Sequence, residues 1–146
     1  MATTRVKPGL AFSIICDRGF AIGLYTHKHL RLGELVWLAD GFWDEEPTAS
    51  DVANIRSWRW CVFFPLGAAV RRGLVTPIAD VAIPAELVEF PTLRNGSKRQ
   101  GWFRLQDGDL NSLDPTTDAS LPIAMLVNDT RLKEMLVTGW EPEDVW

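Results

Sequence analysis

Apolar residues in this chain come in short runs, and each run ends at a glycine, a proline or an acidic residue. LAFSIIC (10–16) and GFAIGLYTH (19–27) flank Asp17-Arg18-Gly19, a spacing that predicts a β-hairpin closed by a glycine-containing turn. THKHLRLG (26–33) is polar and positively charged and reads as an exposed loop. ELVWLAD (34–40) then makes a third strand, stopped at Asp40-Gly41. Residues 58–105 hold most of the remaining strand-forming residues between regularly spaced turn signals. RWCVFF (59–64), β-branched and aromatic and closed by Pro65, is the strongest strand of the chain. LGAAVRRG (66–73) allows either a short helix or an irregular turn unit ended by Gly73. LVTPIADVAI (74–83) reads as a strand, and Pro77 inside it belongs at a sheet edge or a bulge, where no ladder donor is needed. AELVEF (85–90) lies in a connection punctuated by Pro84 and Pro91, RNGSKRQ (94–100) is a basic turn built on Asn95-Gly96, and GWFRL (101–105) is the last core strand.

Two segments carry helical signals. In FWDEEPTASDVANIRSW (42–58), Ser50 is a candidate cap for about two turns through Val52, Ile55 and Arg56. Past the turn-rich stretch 105–122 and the apolar run IAMLV (123–127), Asn128 or Asp129 can cap a helix with Leu132, Met135 and Leu136 as its apolar stripe. Gly139 stands where a C-terminal stop belongs. Gly9, Gly19 and Gly23 fit turn or bulge positions in bent strands, as in small barrels. The expected fold is α+β: a strongly bent antiparallel β-sheet, SH3-like or a partial barrel, with a C-terminal α-helix. One domain spans 1–146, with a β-rich core at 8–105 and an acidic, helix-bearing region at 106–146, and no internal repeat is present.

Composition changes this picture only in part. An apolar fraction of 47% with 23% charged residues is that of an ordinary globular protein and rules out a disordered chain. The two cysteines, Cys16 and Cys61, sit inside apolar runs, which fits free thiols in a reducing compartment. The apolar run 10–16 is too short for a secretory signal, and none approaches the roughly 20 residues that span a bilayer, so a cytoplasmic protein with no membrane partner is expected. The net charge of −4 is unevenly spread. Residues 1–105 carry 13 Lys/Arg against 10 Asp/Glu, and residues 106–146 carry 2 against 9. An acidic final third can steer a basic partner over about a Debye length, or can simply be a solvated surface.

Candidate chemistry is sparse. His27 and His29 form an H-x-H pair that a strand would point in one direction, as two metal ligands require, but only Cys16 is near enough in sequence to add a third. The pair, with Cys16 as a candidate nucleophile, or separately carboxylates converging from Asp44, Glu45, Glu46, Asp107, Asp109 and Asp114, is the basis for an alternative reading as a small hydrolase. Glycine-rich phosphate loops are absent, so no nucleotide-dependent chemistry is expected, and with no further ligands visible near the histidines no metal or other cofactor is expected either. Arg94, Lys98 and Arg99, with Arg104 beside Trp102 and Phe103, form a basic patch that could hold nucleic acid, against a pI near 5.1. Seven tryptophans are many for this length. Most belong in the core, while Trp43 in an acidic loop and Trp146 at the end are candidate exposed anchors for a partner.

A pattern of glycine, proline and aromatic positions runs from residue 8 to 105: Phe12, Gly19, Gly23, Gly73, Ile78, Pro84, Phe90, Pro91 and Trp102. It resembles the immunity protein 26 family of bacterial polymorphic toxin systems, with Ala79 standing where that family tends to have glycine. The resemblance implies a non-enzymatic cytoplasmic protein that binds and neutralises a cognate toxin by occluding its active or binding surface, with no catalytic residues of its own. The partner-facing candidates are then Trp43, Asp44, Glu45, Glu46, Asp107, Asp109, Asp114 and Asp118, set against a basic toxin.

Overall fold

The computed structural model describes residues 6–97, 101–106, 109–112 and 124–140. In chain order the elements are β1 (Leu10–Cys16), β2 (Gly19–His29), β3 (Gly33–Ala39), α1 (Ala49–Ala53), β4 (Trp58–Phe63), α2 (Leu66–Arg71), β5 (Thr76–Asp80), β6 (Leu93–Ser97), β7 (Gly101–Gln106), β8 (Asp109–Ser112) and α3 (Asp129–Thr138). A single 3-10 turn, Ala85–Leu87, interrupts the connection between β5 and β6. The strands form two antiparallel sheets, one of five strands in the order β4-β3-β2-β1-β5 and one of three in the order β6-β7-β8. The fold is α+β, as the residue pattern predicts. The large sheet does not close into a barrel, because β4 and β5 are its two edges and do not meet.

Both faces of the five-stranded sheet are buried, which is why its strands read as nearly continuous apolar runs and not as a clean alternation. One face presents Leu10, Phe12, Ile14, Tyr25, Val36, Leu38, Trp60 and Val62 to α2 and α3. The other presents Ala11, Ile22, Leu24 and Ala39 to Val52 of α1 and Leu87 of the 3-10 turn. Towards its β3–β4 side, Leu35, Cys61 and Phe63 meet Leu93 and Leu105, a directly paired couple on β6 and β7. The two edges are handled differently. Along β4, Phe63 donates its N–H to the Met125 carbonyl at 2.8 Å and accepts from Val127 at 2.9 Å, while Ala124 donates to the Arg94 carbonyl of β6 at 3.0 Å. Residues 124–127 therefore stitch the two sheets together. At the opposite edge β5 carries Pro77, which needs no outward partner there.

The β1–β2 hairpin is set by two glycines with different roles. Gly19 has φ of +122° and lies so near the Trp43 carbonyl that a Cβ would sit 2.7 Å from that oxygen. Gly23 faces Phe12 across the ladder, and its missing side chain is the space that the Phe12 ring fills: a Cβ there would be 2.3 Å from Cζ. Gly23 is therefore no bulge. The bulges fall at Thr26, between Ala11 and Phe12, and between Leu38 and Ala39. Phe12 then stacks on Phe64, with ring centroids 6.3 Å apart.

Helix α3 follows its sequence signals. Asn128 Oδ1 accepts the Arg131 N–H at 2.8 Å, Gly139 ends the helix at φ of 73°, and Leu132, Met135 and Leu136 are buried against the sheet. Burying these three stabilises the docked helix by about 1.5–3 kcal/mol each. Trp140, just beyond, meets Trp60 edge to face at 5.3 Å. Helix α1 is capped by Thr48, not by Ser50. Thr48 Oγ1 accepts from the Asp51 N–H, and the Asp51 carboxylate accepts from the Thr48 N–H at 2.8 Å, a reciprocal box that Ser50 has no residue at the right spacing to complete.

Asn95-Gly96 lies within β6 and makes no turn, and Asp109–Ser112 forms a strand inside the stretch read as turns. In both places cross-strand pairing overrides the local turn preference, because β7 offers a partner on each side. Replacing Gly23 by alanine is expected to destabilise the fold by about 2–3 kcal/mol, as overpacking against Phe12 requires. Adding Phe12→Leu should recover part of that loss in a double-mutant cycle followed by urea denaturation. Independent, additive losses would show that the ring and the glycine do not interact.

Candidate functional site

Among the described residues, the loop after β3 is both charged and firmly held. Trp43 exchanges two backbone hydrogen bonds with Phe20 at the start of β2, each 2.8 Å. Its indole is half-buried among Ile22, Leu24 and their neighbours, so Trp43 anchors the loop to its own protein and is not a freely projecting side chain. Phe42, beside it, lies under the Arg18 guanidinium at 5.1 Å. On the far side Pro47 is buried, and Thr48 is locked by its reciprocal bonds with Asp51. Between these clamps Asp44, Glu45 and Glu46 are all exposed. Three carboxylates thus project from backbone that is fixed at both ends, so little ordering entropy is lost when a cationic surface meets them.

Of the other acidic candidates, Asp109 is exposed on β8, and Asp107, Asp114 and Asp118 lie outside the described residues. So do Lys98, Arg99 and Trp146. Arg94 is only 3% exposed, on β6 opposite Arg104. Buried to that extent, it cannot contribute to a solvent-facing basic patch.

The histidines lie in a strand and not in an exposed loop. Both rings stand over Phe90, at centroid distances of 5.2 Å for His27 and 6.4 Å for His29. The H-x-H spacing does direct the two side chains alike, but the space they share is occupied by that aromatic ring. His27 Nε2 donates to the Val88 carbonyl at 2.8 Å, and Nδ1 pairs with the Thr26 hydroxyl at 2.9 Å. His29, 6% exposed, accepts at Nδ1 from the Arg31 and Leu32 N–H groups at 3.1 and 3.0 Å, which shapes the turn into β3. His27 Nε2 thus carries its proton towards the 85–90 connection, and the His29 Nδ1 lone pair is taken by the β2–β3 turn. Among the described residues no group of three or more His, Cys, Asp or Glu side chains is placed to hold a metal ion. This clamp role was not visible in the sequence, because Phe90 is 61 residues beyond His29 and only the fold brings them together. No described helix is long and apolar enough to cross a membrane.

The two thiols are free and differ in setting. Cys16, half-buried, is pushed above the ordinary thiol value by burial, with Lys133 acting the other way. Cys61 is fully enclosed, and burial raises it from 9.0 to about 12. Above pH 9.0 the unfolded chain loses this proton while the folded chain keeps it, so folding stability is complete below 9.0 and declines as pH rises towards 12. The slope is at most about 1.4 kcal/mol per pH unit for the one group. Cys61→Ala should flatten the fall in urea midpoint measured across that window by one proton's worth, whatever constant offset the smaller side chain adds. An unchanged slope would mean that the thiol does not titrate between the two states. Comparison of the chain with protein-family models, with curated proteins and with solved structures gives no match.

Proposed function

We propose that this protein is a non-enzymatic binding protein of the immunity type, which neutralises a basic protein toxin by covering its active or binding surface. The observation that supports this reading best is the clamped acidic loop: Asp44, Glu45 and Glu46 exposed between the Trp43–Phe20 backbone pair and the Thr48–Asp51 box. Opposite charge held in a fixed array raises association rates and rejects wrong partners, more than it adds raw affinity. Exposed Asp109 adds to the acidic surface. The resemblance of residues 8–105 to the immunity protein 26 pattern is consistent with the same role, and several of its positions have structural work in this fold. Phe12 and Gly23 interlock, Gly19 admits the Trp43 carbonyl, and Phe90 is gripped by the two histidines.

The test is co-expression with the toxin encoded beside this protein in its native genome. The wild-type chain is expected to restore growth and to bind the purified toxin with an association rate that falls steeply as salt rises. Changing Asp44, Glu45 and Glu46 together to lysine should slow association by about tenfold or more and remove most of the salt dependence, with the dissociation rate much less affected. Growth restoration and binding kinetics that are indifferent to the triple reversal would overturn the acidic-loop mechanism, and a toxin that the wild-type chain neither binds nor neutralises would overturn the function.

A further inference from the structure

We draw no further inference here: the strongest candidate, the surface patch at the β2–β3 turn where Leu30 stands fully exposed beside Arg31, is an unpartnered apolar projection, and nothing in the structure shows what covers it.

Discussion

The contact of the Phe12 ring with the bare backbone of Gly23 is the interaction on which the rest of the arrangement depends. Phe12 lies on β1, between β2 and the edge strand β5, fully buried, and it can lie flat across β2 only where the facing residue has no side chain. Lying there, it turns its far side to Phe64 and helps to build the surface on which α2 and α3 dock. A larger residue at position 23 would lift the ring into the space those helices need. The cost would be felt in the helix layer as well as in the hairpin, because interiors packed to crystal-like density pass such displacements on to their neighbours.

A sheet buried on both faces imposes a second demand, that something must cover each side. The helices cover one. The other is covered piecemeal, by α1, by the 3-10 turn with its flanking chain, and by the small sheet through Leu93 and Leu105. Such a cover has to be pinned, since irregular chain carries backbone groups that no regular ladder satisfies. This gives physical sense to the two histidines, which fasten the 85–90 connection through the Val88 carbonyl and the Phe90 ring. It also accounts for residues 124–127, whose backbone bonds reach both β4 and β6. Residue types that suggest a metal site or a nucleophile in the sequence are thus used here to hold a layer in place.

What could be read from the sequence was the structure whose causes are local. RWCVFF is a strand because its residues favour extended backbone, α3 begins at Asn128 and stops at Gly139 because those residues satisfy or terminate a helix, and Pro77 falls on an edge strand because it has no N–H to give. The features that could not be read have non-local causes. Asp109–Ser112 is extended because β7 pairs with it, and Asn95-Gly96 is straightened in the same way. A propensity scale has no access to such partners. Gly23 is an intermediate case: the glycine is plain in the sequence, but its cause is a phenylalanine eleven residues away across a turn. The acidic triplet at 44–46 was legible as charge. Its fixed presentation was not, since that depends on the Trp43–Phe20 pair and on Gly19 leaving room for it.

The β1–β2 turn is where the fold's construction and its proposed recognition surface coincide. A hairpin tip is ordinarily among the more mobile parts of a sheet. Here Phe20 is tied to Trp43 by two backbone hydrogen bonds, and Phe42 sits beneath Arg18. The charge of Asp44, Glu45 and Glu46 beside such a tip is held in place, so for the proposed partner little Coulombic attraction would be spent on ordering the loop. Under the binding function proposed above, a firmly held acidic surface favours association with a basic partner over an uncharged one, without requiring the fold to move.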